Sequence, residues 1–329
     1  MKVFVKALKQ IQTSKFYILL LAAPLLAPTL LLAAQYSQMW IADMYVSFST
    51  YIIAATCILI GVAFYTASKR IHYIAIILAL VLVVFAAIPS YQWLLDPDTT
   101  YIKEGDVRIA TFNKLLSNKN YKDMRKELSP ENYDVIGLSE VSDEDFSTLK
   151  KQWRYSLTAE CDCDPARTAE LVLLSSYPIL KNEVISAGKE NGGMLRAVLD
   201  VEGEELITYV THTPSPISNN NFQNRNDMLG MLVPSRIVRD NKKPAVFMGD
   251  LNISPYSSHY RKTVRSLIGY KNIMKGSGTL QTWCLLDLAT FCAPIDHVFV
   301  TNRIGVTKPE IIKIRGSDHK LITTELVIN

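Results

Sequence analysis

Polar residues of a particular kind sit at the ends of short apolar runs in the last two thirds of this chain. Asn113 follows RIATF and Glu140 follows DVIGLS. His212 follows LITYVT and precedes Thr213-Pro214. Asp250 and Asn252 lie in AVFMGDLN, Asp296 and His297 in PIDHVFV, and Asp318 and His319 in RGSDHKL. Carboxylates and an amide supply the oxygen ligands that a hard cation such as Mg²⁺ takes. Amide and imidazole groups suit a phosphoryl oxygen, and a base steadied by a carboxylate suits an attacking water. The ordered set therefore offers metal binding, phosphate binding and proton transfer together. Taken singly, each residue reads more simply as a turn or cap group.

The apolar runs that carry these groups are short. Val107–Phe112, Val135–Leu138, Leu171–Leu174, Arg196–Leu199, Leu206–Thr211, Ala245–Met248, His297–Val300, Ile311–Ile314 and Leu321–Val327 read as strands. Tyr121–Leu128, Asp143–Gln152, Asn224–Asp240 and Ser257–Ile268 read as helices. Many strands with few helices predict a mixed α/β domain of packed sheets. Strand ends that meet at one rim are where such domains place ligands and catalysts.

The segments RIATFN, DVIGLSEV, VTHTPSP, VFMGDLNISP, PIDHVFV and GSDHKLI, in this order, resemble the endonuclease/exonuclease/phosphatase superfamily. Its members include DNase I, abasic-site endonucleases, neutral sphingomyelinases and inositol-polyphosphate phosphatases. The resemblance runs from about Val107 to the C-terminus. It implies a DNase I-like four-layer α-β-β-α sandwich, here preceded by three transmembrane helices. It implies that Glu140 is the principal Mg²⁺ ligand (Mn²⁺ being the alternative), with Asn113 beside it and Asp318 near the metal. Asp250 and Asn252 would orient the nucleophile and hold a phosphate oxygen. His319 would activate water with its ring held by Asp296, and His212 would bind phosphate or protonate the leaving oxygen. The chain departs from the common pattern at Lys320-Leu321, at Ser175-Ser176-Tyr177-Pro178 and at Glu170, which leaves the phosphoester open between nucleic acid and a phospholipid headgroup.

The first third is different in kind. Residues 1–100 hold only Lys2, Lys6, Lys9, Lys15, Lys69 and Arg70 as bases and Asp43, Asp96 and Asp98 as acids. Phe16–Ala34, Met44–Ala67 and Tyr73–Leu95 are uncharged and apolar, each near the ~20 residues that cross a bilayer as a helix. Pro24 and Pro28 are expected to kink the first. That run is too long for a signal-peptide core, and no clear small-residue cleavage site follows. Basic residues before the first span and between the second and third, with none in the loop at about Gln35–Asp43, predict a cytoplasmic N-terminus. Everything after Leu95 then lies on the exoplasmic side, as in a bacterial inner-membrane protein facing the periplasm. Trp40, Tyr91 and Trp93 would mark the outer interface. Residues 1–95 thus read as an anchor in contact with lipid, 96–106 as a linker of at most ~36 Å, and 107–329 as the catalytic domain. Three spans without intramembrane charge read as an anchor rather than a transporter.

With 35 basic and 31 acidic residues the chain carries a net charge of only +4, which excludes a strongly basic DNA-coating protein. Mean hydropathy of +0.12 agrees with a partly lipid-embedded chain. Cys57 falls inside a span. Cys161, Cys163, Cys284 and Cys292 fall in the exoplasmic part, where disulfides form. Cys284 and Cys292 flank a short apolar loop and are the favoured pair; a zinc site lacks suitably spaced histidines. His72 and His259 belong to no motif, and nothing specifies a protein partner. The second reading is a membrane-anchored binding protein that keeps the fold without activity. The complete polar set argues against it.

Overall fold

The computed structural model describes residues 15–67, 70–159, 171–186, 193–278, 280–285 and 291–328. Lys69, Cys161, Cys163 and Glu170 lie outside them. The chain divides into two units, residues 1–92 with 256–258, and 93–255 with 259–329.

The first unit contains three helices long and apolar enough to cross a membrane, over Ile18–Tyr36, Ser49–Thr66 and Ile71–Leu95. Leu20, Ile60, Ala63, Ile76, Ala79 and Val83 pack between them. Pro24 and Pro28 are accommodated within one continuous helix, Lys15–Tyr36. The loop expected at about 35–43 holds a short extra helix, Trp40–Val46, and the second span begins later than expected, at Ser49.

The second unit is built on two sheets. The first has the order β13-β15-β1-β2-β4-β3, with β14 also on β15. Its strands are β1 Val107–Asn113, β2 Val135–Ser139, β3 Tyr155–Ala159, β4 Leu171–Ser175, β13 Ile304–Val306, β14 Glu310–Lys313 and β15 Lys320–Ile328. The second has the order β5-β6-β7-β8-β12-β9. Its strands are β5 Ile179–Ser186, β6 Gly193–Val201, β7 Glu204–His212, β8 Ala245–Asp250, β9 Tyr270–Asn272 and β12 Asp296–Thr301. β1 with β2 and β7 with β8 are parallel pairs; the other pairings are antiparallel. Parallel neighbours need a crossover, and helices at Tyr121–Glu127 and Asn219–Asp227 lie in those connections.

The sheets face each other. Gly137 on β2 marks how closely they approach: a Cβ there would lie 2.7 Å from Val210 Cγ2 and 2.9 Å from Met248 Cε. Met124, Leu128, Leu149 and Trp153 cover the other face of the first sheet by packing on Phe112, Ile136, Leu138 and Leu174. Phe222, Leu229, Val233 and Ile237 are buried in the helical connection of the second sheet. This makes four layers, helix-sheet-sheet-helix.

Some elements differ from the sequence expectation. The helix predicted over 224–240 starts at Asn219, capped by Ser218 Oγ, and passes through a π-turn at Met228–Leu232 before Val233–Ile237. The segment 96–106 is fastened to the second unit rather than running free. Lys275 pairs with Asp98 (2.6 Å) and Asp96 (3.3 Å), and the Tyr101 hydroxyl donates to Ile273 O.

Candidate active site

The parallel strands end together, two from each sheet. Asn113 is paired with Ser139 at the end of β1–β2, directly before Glu140. His212 is paired with Asp250 at the end of β7–β8, and Asp296 opposes Asp250 at the start of β12. His319 enters from the turn before β15. Backbone turns at these ends are tight. Glu140 has φ 56° and Asn252 φ 48°, left-handed values uncommon for residues with side chains and recurrent at functional sites. Gly249, at φ 139°, must be glycine, since a Cβ would overlap Thr211 O.

Asn113 links the two halves. Its Nδ2 donates to Glu140 Oε1 and to Asp250 Oδ2, both at 3.0 Å. Glu140 Oε2 accepts from the Leu116 N–H at 3.0 Å. His212 Nε2 stands 3.9 Å from Glu140 Oε1 and 3.8 Å from Asp250 Oδ2. His319 Nε2 is 3.6 Å from the same Asp250 oxygen, and its Nδ1 is bonded to Asp296 Oδ2 at 2.9 Å. Asp250 Oδ1 accepts the Asn252 N–H, and Asn252 Nδ2 donates to Thr213 O. Asn113, Glu140, His212, Asp250, Asn252, Asp296 and His319 thus form one connected set. Asp318 stands beside it: its Oδ2 accepts the Trp283 indole N–H at 2.8 Å, and its Oδ1 is buried without a hydrogen-bond partner. Glu140 and His212 keep side-chain exposures of 18% and 11%, whereas Asp250 keeps 1%.

Burial and mutual charge set the protonation. Burial opposes charge on His319, but Asp296 and Asp250 outweigh it and raise its pKa to about 10. Burial, then the Asp296 charge, push Asp250 up to about 6. Asp296 is held below the usual carboxylate range, because the charge and hydrogen bond of His319 overcome its burial. Burial also acts to raise Glu140, yet His212, Asn113 and the Leu116 N–H bring it below its ordinary value. His297, adjacent to Asp296, points the other way. Burial drives it down to about 4, and its ring is held by Asn272 Nδ2 and Ile253 O, so it is a packed neutral group outside the site.

The supporting residues were not legible in the strand-end pattern. Arg225, fully buried, donates to Asn252 O at 2.7 Å. Ser317 Oγ donates to Asn113 O and accepts the His319 N–H, tying β1 to the histidine. A two-strand hairpin, β10 Trp283–Cys284 and β11 Cys292–Ala293, carries a Cys284–Cys292 disulfide. It brackets the histidine: Cys284 N donates to Asp318 O and Lys320 N donates to Thr282 O.

The endonuclease/exonuclease/phosphatase family profile matches residues 109–319, spanning every strand end just described. The chain belongs to this family. It is a phosphoester hydrolase of the endonuclease/exonuclease/phosphatase type. The fold resembles that of the family protein from Beutenbergia cavernae (18% identity, 69% of this chain and 72% of that one, TM-score 0.55). It also resembles the human nocturnin catalytic domain (16%, 71% and 97%, TM-score 0.58) and the mannosyl-6-phosphatase of Bacteroides thetaiotaomicron (15%, 68% and 100%, TM-score 0.56). No curated protein matches the sequence.

Members of this family generally use a divalent metal, and the site's donors fit one. Glu140, Asp250 and Asp296 bring three carboxylates into one largely buried set, and the Asp318 Oδ1 acceptor is unsatisfied. Buried negative charge of this kind is what a cation relieves, and oxygen donors suit Mg²⁺ or Mn²⁺. Donor atoms of Asp250, Asp296 and His319 also lie within 4.8 Å of one another. There, however, Asp296 and His319 already satisfy each other through a hydrogen bond.

Proposed function

We propose that this protein is a membrane-tethered, Mg²⁺-dependent phosphodiesterase or phosphoesterase, with Mn²⁺ as the alternative ion. The observation that carries the reading is Asn113 bridging Glu140 and Asp250 beside the His319–Asp296 pair. In this reading Glu140, Asn113 and Asp318 hold the cation, which would polarise a phosphate oxygen and offset its charge. Asp250 and Asn252 orient the attacking water and a phosphate oxygen. His319, steadied by Asp296, takes the water proton from its neutral form, which the positive charge of a bound cation would favour over the protonated ring. Asp250 Oδ2 lies 3.6 Å from His319 Nε2, near enough for charge coupling though beyond a hydrogen bond, so the three groups titrate as one unit rather than singly. His212, partly exposed and between Glu140 and Asp250, binds the phosphate or protonates the leaving oxygen.

The reading extends to the whole chain. Residues 1–95 are the membrane anchor, 96–106 the connector and 107–329 the catalytic domain. The Lys/Arg asymmetry of the anchor supports a cytoplasmic N-terminus and an exoplasmic catalytic domain, in a bacterial inner membrane. The substrate is a phosphoester of nucleic acid or of a phospholipid headgroup. The test is a panel on the full chain in detergent, with Mg²⁺, with Mn²⁺ and with EDTA: double-stranded DNA, RNA, sphingomyelin, phosphatidylinositol phosphates and a generic phosphodiester. Cation-dependent hydrolysis of at least one is expected. No turnover of any of them, or turnover that EDTA leaves intact, refutes the proposal.

A further inference from the structure

Lys114 directly follows Asn113, and its side chain is fully buried. A buried ammonium is costly unless it is paired and hydrogen-bonded. Here Nζ lies 2.7 Å from Asp145 Oδ2, with both side chains at 0% exposure. It also reaches the carbonyls of Leu115 (3.2 Å), Leu116 (3.4 Å) and Asn118 (3.2 Å). Three protons therefore serve four acceptors, three of them backbone carbonyls of one short loop. That loop is the one that gives the Leu116 N–H to Glu140 Oε2 and the Leu115 N–H to Asn113 Oδ1. Leu115 holds φ 62° to do so.

The other end of the pair is tied to Glu140 from the opposite side. Asp145 closes a capping box with Ser142, accepting the Ser142 N–H at 3.1 Å while Ser142 Oγ accepts the Asp145 N–H. Ser142 is two residues past Glu140. One buried cation thus pins both the loop that touches the Glu140 carboxylate and the turn that leaves the Glu140 backbone.

A buried ion pair is a poor source of stability, because an apolar pair of the same shape is often as stable or more so. Its effect should therefore be sought in geometry. We propose that Lys114 and Asp145 are a positioning pair that aims the Glu140 carboxylate and the Asn113 amide at the metal. This rests on the reading of Glu140 as a metal ligand.

The experiment uses the full chain in detergent and needs no substrate. Mn²⁺ binding is followed by the electron paramagnetic resonance of the free ion, with thermal unfolding of the same samples. Lys114→Met/Asp145→Asn removes both charges, leaves no unpaired one buried and keeps an acceptor for the Ser142 cap. The expected result is a folded protein whose Mn²⁺ affinity falls about 10–100-fold, the usual effect of losing the groups that orient a ligand. Lys119→Met, at the exposed Lys119–Glu144 pair, should change neither quantity. A purely structural pair would lower the melting temperature and leave affinity intact, and that result overturns the proposal. Glu140→Gln is run alongside. If it weakens Mn²⁺ binding and the double variant does not, only the positioning role falls. If Glu140→Gln leaves binding unchanged, the ligand assignment falls and takes this inference with it. Should the double variant fail to fold, Lys114→Gln/Asp145→Asn, which also removes both charges but keeps a donor for the loop carbonyls, is read by the same criteria.

Discussion

The chain contains two Asp-His pairs, 296–297 and 318–319, and the structure gives their histidines opposite characters. His297 is fully buried with its ring at 5.0 Å from that of Tyr260 and 5.8 Å from that of Trp93. Nδ1 faces the Asn272 amide, a donor that also bonds Tyr260, and Nε2 faces the Ile253 carbonyl. Only the neutral ring protonated at Nε2 satisfies both. Burial accordingly holds the pKa down to about 4 against an ordinary 6.5. A depressed pKa contributes stability that is fully present above about pH 6.5 and is lost as pH falls through 4. At about 1.4 kcal/mol per unit, the loss is about 3 kcal/mol. That is a sizeable part of the ~5–15 kcal/mol of a typical domain. Asp250, raised to about 6, acts in the opposite sense over the same range, since protonation relieves its burial. The wild-type curve alone is therefore not diagnostic, and the difference from His297→Gln is. Stability should be measured by urea unfolding from pH 4 to 8 in EDTA. The variant should be less stable at pH 7.5, and the gap should close by about 3 kcal/mol on acidification. Parallel profiles would refute the assignment of His297 as a neutral structural group.

Glu140→Gln should keep the fold and abolish most metal-dependent hydrolysis, and His319→Ala should cost about 10²–10⁴-fold in rate; both staying within a few-fold of wild type would show that the site is wrongly assigned. Asp296→Asn should reduce turnover and bring the His319 pKa down from about 10, read by histidine NMR titration; an unmoved pKa would count against the pair. Trp283→Phe keeps a ring but removes the donor to Asp318, and should lower activity roughly 10-fold with little change in melting temperature; a large stability loss instead would make Trp283 merely a packing residue. A reporter fused after Asn329 should be active only outside the cytoplasm, and cytoplasmic activity would reverse the proposed topology.

The strand ends were legible because β1, β2, β4, β8 and β12 are nearly all buried, so their apolar runs stop abruptly where a polar group begins. Strands with one face in solvent were not. β5 reads ILKNEVIS, with most of its residues exposed, and β3, β9, β10, β11 and β13 are too short or too mixed to stand out. The helix Asn219–Asp227, NNNFQNRND, has a loop's composition; it is fixed by the Ser218 cap and by burial of Phe222 and Arg225. The residues that could do chemistry showed themselves by type. Those that hold them did not, since Lys114, Arg225, Thr282, Trp283 and Ser317 act through contacts with residues that sequence order keeps apart, or through backbone groups that carry no sequence signal. A lysine in an apolar run reads as a surface group until Asp145 is found against it.

Gly137 gives this arrangement a further meaning. Asn113, Glu140, Asp318 and His319 come from the first sheet, whereas His212, Asp250, Asn252 and Asp296 come from the second. The reacting groups straddle a seam, and its width is fixed where Gly137 meets Val210 and Met248. Hydrogen bonds weaken steeply over tenths of an ångström, and the 2.9 Å bond from His319 to Asp296 spans that seam. The hydrophobic interior is therefore a ruler as much as a source of cohesion. A single methyl group at position 137, three residues from Glu140 and touching no reacting atom, would lengthen it, and a change in the core would register as a change in chemistry.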